Sequence, residues 1–152
     1  MSWIRLVSTP LLFSACTAEF KNLEFFYFHN CLYEGVWKDN RRRWSERTNT
    51  WDILHKYGHD YKVIFVGDAS MSPYEISHVG GAVEFYNEEP GAVWLERIAH
   101  IYPAAVWLNP EPEKHWQYSQ SGKMIRQIMN NRMYPLTLRG IEDAMRTLSR
   151  KL

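Results

Sequence analysis

Lys62-Val63-Ile64-Phe65-Val66-Gly67-Asp68 is the stretch on which the fold turns. Val63 to Val66 are four consecutive apolar residues, two of them Val and one Ile, types that favour extended backbone. Without polar alternation, such a strand predicts the centre of a parallel sheet covered on both faces. It stops at Gly67-Asp68, so a loop leaves its carboxyl end there. Downstream, Ala104-Ala105-Val106-Trp107-Leu108 repeats the pattern and ends at Asn109-Pro110. Between the two, residues 69–91 carry Pro73 and Gly80-Gly81 and predict an irregular stretch. Residues 92–101 predict a helix with Val93, Trp94, Leu95, Ile98 and Ile101 inward. Residues 111–119 predict a loop, and residues 122–130 a helix with Met124, Ile125, Ile128 and Met129 as its apolar stripe. A short strand over 133–136 follows. Thr137 then caps a final helix to Arg150, with Leu138, Ile141, Ala144, Met145 and Leu148 at helical spacing.

Upstream, Leu23-Glu24-Phe25-Phe26-Tyr27-Phe28 predicts a buried strand, and residues 32–37 a second, nearer an edge. Residues 38–47 predict a polar loop. Thr50 is the expected N-cap of a helix over 51–57, ended by Gly58. At the amino terminus, residues 3–7 predict a strand and residues 10–21 an amphipathic helix opened by Pro10. Strands alternating with helices predict an α/β fold, a mostly parallel sheet in a three-layer, Rossmann-like arrangement with helices on both faces. In such sheets function gathers at the carboxyl ends of the strands. The residues there are Ser8-Thr9, His29-Asn30, the loop from Gly67 to Ser72, and Asn109-Pro110.

The 152 residues, 45% hydrophobic and 23% charged, predict one soluble domain spanning 1–152. Lys and Arg number 18 against 17 Asp and Glu, a net charge of +1 that argues against nucleic acid as partner. Arg41-Arg42-Arg43, beside Trp37 and Trp44, therefore predicts a solvated loop. No apolar stretch approaches the ~18 residues that span a bilayer. The amino terminus is a poor signal peptide, its apolar run broken by Ser8, Thr9 and Pro10. Cys16 and Cys31 are too few for a disulfide framework and predict reduced thiols in the cytoplasm.

Asp68-Ala69-Ser70-Met71-Ser72 spells D-x-S-x-S directly after a core strand. One carboxylate and two hydroxyls spaced by two are hard oxygen ligands suited to Mg²⁺. The same spelling also describes a turn whose Asp and Ser side chains bond local backbone. Glycine-rich phosphate loops and the G-x-S-x-G elbow are missing. His55 and His59 are spaced i, i+4, but Gly58 interrupts the helix between them. An aspartyl nucleophile at Asp68 would ordinarily want a second Asp where this chain has Ser70.

Residues 26–34, 63–75, 106–110 and 132–137, namely FYFHNCLYE, VIFVGDASMSPYE, VWLNP and RMYPLT, together resemble the C-terminal part of bacterial von Willebrand factor A-domain proteins of the CoxE-like kind. The resemblance runs from about residue 12 to the end of the chain. It implies a Rossmann-like sheet with a metal-ion-dependent adhesion site at its carboxyl edge. That site takes a D-x-S-x-S loop after the first strand, a Thr from a later loop and an Asp after the fourth strand. By chain order Thr50 resembles that Thr and Asp68 that Asp, which makes the D-x-S-x-S spelling at Asp68 a coincidence of position. The family's first D-x-S-x-S should precede residues 10–21, where this chain has Ser8-Thr9-Pro10 and no Asp. Residues 1–9 thus resemble a replacement for the family's first strand and metal loop.

The expectation is a non-catalytic protein-interaction domain with a degenerate metal site at Asp68, Ser70, Ser72 and Thr50, holding no ion or a weakly bound Mg²⁺. His29, Asn30 and Asn109 are the candidates for partner contact. The resemblance implies a MoxR-type AAA+ ATPase as partner. The slot of the missing strand predicts a homodimer, filled by residues 3–7 of the same chain or a neighbour. The rivals are a Mg²⁺-dependent phosphotransfer enzyme using Asp68 and a metal-free remnant acting only by oligomerisation.

Overall fold

The computed structural model describes residues 23–150. The strand expected over 3–7, the helix over 10–21, the Ser8-Thr9-Pro10 connection and Cys16 lie outside them. The described chain is a mixed α/β unit, a small three-strand parallel sheet packed against helices. A two-strand antiparallel ribbon precedes it, β1 (Gly35–Val36) with β2 (Thr48–Asn49). Helix α1 (Thr50–Lys56) leads to β3 (Val63–Val66). Helices α2 (Pro73–Ser77) and α3 (Gly91–Ile101) lead to β4 (Ala105–Asn109). Helices α4 (Glu113–Trp116) and α5 (Gln120–Ile128) lead to β5 (Met133–Pro135), and α6 (Leu138–Ser149) closes the unit.

The sheet order is β3-β4-β5, with Phe65 opposite Trp107 and Trp107 opposite Met133. Central place therefore belongs to β4 rather than to β3, where the apolar run predicts it. All five β4 residues are buried, whereas Val63 and Ile64 are half-buried. Among the described residues, β3 pairs on one side only. Phe65 and Trp107 stack with ring centroids 5.2 Å apart, and Phe28 meets both edge-on at about 6 Å. Trp107 Nε1 donates to the Gly67 carbonyl at 2.8 Å, which satisfies the one polar atom of a fully buried indole. Tyr134, in register with Leu108, shares a 2.6 Å hydrogen bond with Thr147 of α6. Helix α6 packs on β4 and β5 through Ile141, Ala144, Met145 and Leu148, all buried. Gly140 sits where a side-chain carbon would overlap the Pro135 carbonyl oxygen, so α6 approaches the end of β5 backbone to backbone.

The front of the described chain differs from the sequence reading. Residues 23–28 form no strand. Tyr27 makes an isolated antiparallel bridge to Trp37. A strand would put Phe26 and Phe28, two residues apart, on the same face. Here Phe28 lies on the sheet while Phe26 meets Tyr57. The expected strand over 32–37 contracts to β1, and Asn30, with φ 54°, turns the chain just ahead of that stretch. Its partner β2 falls between the expected loop over 38–47 and the expected cap at Thr50. That cap is Asn49 rather than Thr50: the Asn49 side chain accepts from the Trp51 amide at 2.9 Å. Two short helices, α2 and α4, occupy stretches expected to be irregular. Helix α2 is set by a capping box, Ser72 and Glu75 each bonding the other's backbone, with Pro73 at the first helical position. The Thr137 cap is as expected, its side chain accepting from the Gly140 amide at 3.1 Å.

Cys31 is fully buried, and its sulfur fills the space a side chain on Gly91 would need at the start of α3. Burial pushes its thiol up to about 12.

Candidate functional site

The carboxyl ends of β3 and β4 open onto residues 67–72 and 109–111, and the amino end of α5 lies against the first of these. Asp68 Oδ1 accepts from the Ser70 amide at 3.0 Å, an Asx turn. Ala69 then takes a left-handed φ of 55°. Its carbonyl accepts from Ser121 Oγ at 2.6 Å, and Ser121 Oγ in turn accepts from the Met71 amide at 3.2 Å. Ser121, buried at the start of α5, thus pins the loop from both sides. Asn109 is buried too. Its Oδ1 accepts from the Glu111 amide at 2.9 Å and its Nδ2 meets Met133 Sδ at 3.6 Å.

The four residues of the expected metal site have different local roles. Asp68 and Ser70 are joined by the Asx bond. Ser72 caps α2. Thr50 is buried in the front segment, where its hydroxyl donates to the Tyr33 carbonyl at 2.6 Å and its amide donates to the Glu34 carbonyl at 2.8 Å. Among the described residues, no group of three or more His, Cys, Asp or Glu side chains is placed to hold a metal ion. Hydroxyls and a single carboxylate carry less negative charge than the sites that dehydrate Mg²⁺.

Of the expected partner-contact residues, Asn109 is among the strand-end residues, whereas His29 and Asn30 sit in a second cluster. Asn30 Nδ2 donates to Glu75 Oε1 at 2.7 Å, and Glu75 Oε2 accepts from the Ser72 amide at 3.0 Å, so this buried carboxylate is held on both oxygens. Tyr33 donates to the Glu75 carbonyl at 2.7 Å, and its phenol is pushed up by burial. His29 Nε2 lies 3.5 Å from Glu84 Oε1, and Arg42 Nη1 lies 3.3 Å from Glu84 Oε2. Burial lowers the His29 pKa from its ordinary 6.5; Arg42 lowers it further, and the carboxylates of Glu84 and Glu75 oppose the shift. Each residue of the Arg41-Arg42-Arg43 run faces a carboxylate: Asp39, Glu84 and Glu46 respectively.

Three side chains that shape these loops escape a reading by motif. Glu34 Oε1 accepts from the Glu88 and Glu89 amides, both at 2.8 Å. Asn87, fully buried, accepts from the Ala82 amide and donates to the His78 and Glu89 carbonyls. Ser121 is the third. Only Glu75 had a signal, the S-x-x-E spelling of residues 72–75. No family model, no curated protein and no solved structure matches this chain.

Proposed function

We propose that this chain is a non-catalytic protein-interaction domain of the von Willebrand A, CoxE-like kind, with a degenerate metal site and a MoxR-type AAA+ ATPase as its partner. The reading includes the finer architecture the resemblance implies, three layers with helices on both faces of the sheet, and a cytoplasmic homodimer. One observation carries it. The polar side chains at the strands' carboxyl ends are engaged by neighbouring backbone: Asp68 by the Ser70 amide, Asn109 by the Glu111 amide, Ser121 by the Ala69 carbonyl. Side chains used this way fix the shape of a surface, which suits recognition more than proton or phosphoryl transfer. The parallel order β3-β4-β5 with helical crossovers, and Asp68 at the carboxyl end of β3, agree with the resemblance.

The test is titration of the full chain against a purified MoxR-type ATPase from the same organism. A micromolar complex that weakens in Asp68→Ala is expected; no complex at ~100 µM of each protein overturns the partner. Calorimetry with Mg²⁺ should give weak or no binding. Micromolar affinity that vanishes in Asp68→Ala would overturn the degenerate reading of the site.

A further inference from the structure

On the flank of the unit, α4 and the first turns of α5 enclose an open cleft of about 450 Å³. Lys114, Lys123 and Arg126 line it, with Glu113 as the one carboxylate and Trp116 and Gly122 among the other walls. The charge of the lining is therefore +2. Elsewhere the guanidinium groups of Arg41, Arg42, Arg43, Arg97 and Arg146 lie within 4 Å of a carboxylate. In the cleft, none of the three cations has an ion pair among the described residues. Arg126 lies 5.7 Å from the centre of the Trp116 ring, and its buried Nε has no acceptor among the described residues. Like charges gathered around one cavity repel one another, and an anion bound there relieves the repulsion.

The cleft also shows what kind of anion suits it. Phosphate sites typically use free backbone amides at a helix start. Here the Gly122 amide donates to Ser119 Oγ at 2.9 Å and the Lys123 amide to the Ser119 carbonyl at 3.1 Å. What is left is side-chain charge spread over two helices, with Glu113 opposing a concentrated dianion. We infer that this cleft binds an acidic peptide segment, presenting two or more carboxylates to Lys114, Lys123 and Arg126. The inference goes beyond the strand-edge reading, and either can fail with the other intact.

The probe is an end-capped hexaglutamate peptide, titrated into the full chain by calorimetry at ~50 mM salt, where charge contacts are least screened. Saturable binding is expected, weakened about tenfold or more in the double variant Lys114→Glu/Lys123→Glu. Both lysines are exposed, so the fold is not at stake. The control is Lys38→Glu/Arg139→Glu, which changes net charge equally at exposed positions outside the cleft and should bind within about twofold of the unaltered chain. Equal weakening in both double variants would reduce the effect to overall charge and overturn the site. Tripolyphosphate binding more tightly than the peptide, and losing that affinity in Lys114→Glu/Lys123→Glu, would overturn the carboxylate assignment. Absence of saturable peptide binding would overturn the inference outright.

Discussion

Residues 63–150 and residues 23–57 are held together in different ways. In the first, backbone groups are paired in ladders: parallel strands in continuous register and helices whose apolar stripes lie on them. In the second, the long-range backbone pairing among the described residues is a two-residue ribbon, an isolated bridge and the Thr50 amide on the Glu34 carbonyl, and side chains complete the work. Thr50 bonds the Tyr33 carbonyl, Tyr33 bonds the Glu75 carbonyl, and Trp37 Nε1 donates to the Arg43 carbonyl at 3.0 Å. Both regions bury aromatics, so hydrophobic content does not separate them. A ladder spreads its stability over many weak equivalents, whereas a peg concentrates it in one group whose loss strands a buried partner.

The sharpest way to break the contrast is to remove a large side chain from the laddered region. Trp107→Ala empties the stack with Phe65, unseats Phe28 and frees the Gly67 carbonyl. A loss of about 3–5 kcal/mol is expected, a large share of the ~5–15 kcal/mol that holds a domain folded. Urea denaturation followed by circular dichroism should show the midpoint collapse for the whole chain together.

A smaller and more local effect is expected from Thr50→Val, which keeps the shape and removes the hydroxyl. The buried Tyr33 carbonyl then loses its donor, at a cost of about 1–3 kcal/mol. Amide hydrogen exchange should show lost protection over β1 and β2 with β4 little changed. Equal loss in β4 would mean that the two regions open as one.

The smallest effect concerns His29. Its folded pKa lies below the unfolded value of 6.5, so the unfolded chain binds more protons between the two. Stability contributed by the neutral ring is complete above 6.5 and is lost as pH falls below it through the folded pKa. His29→Gln should flatten the fall in melting temperature between about pH 7 and pH 5. A variant whose melting temperature tracks that of the unaltered chain at every pH would show that another group sets the dependence.

How far the sequence could be read follows the same division. The strands at 63–66 and 105–109, the short strand after Arg132 and the Thr137 cap were legible, because apolar runs and capping residues act over a few positions. The central position of β4 was not, since Val63 to Val66 and Ala105 to Leu108 are both apolar and pairing is not written in either. Residues 23–28 misled for a physical reason: four aromatics in six residues suit a strand, but these rings pack against separate neighbours. At the candidate site, the D-x-S-x-S spelling found the loop after β3. It could not reveal that Ser72 faces α2, or that Thr50 bonds Tyr33. Lys114 and Lys123 lay in a stretch read as loop and at the margin of a helix, with no motif to join them to Arg126.

Cys31 turns the architecture of the front segment into a clock. Alkylating reagents attack the thiolate, and this sulfur is both enclosed and held protonated at neutral pH. Modification therefore proceeds through moments when the turn at Asn30 lifts away from Gly91. In a Cys16→Ser background Cys31 is the sole thiol of the chain, and its labelling rate reports how often such openings occur.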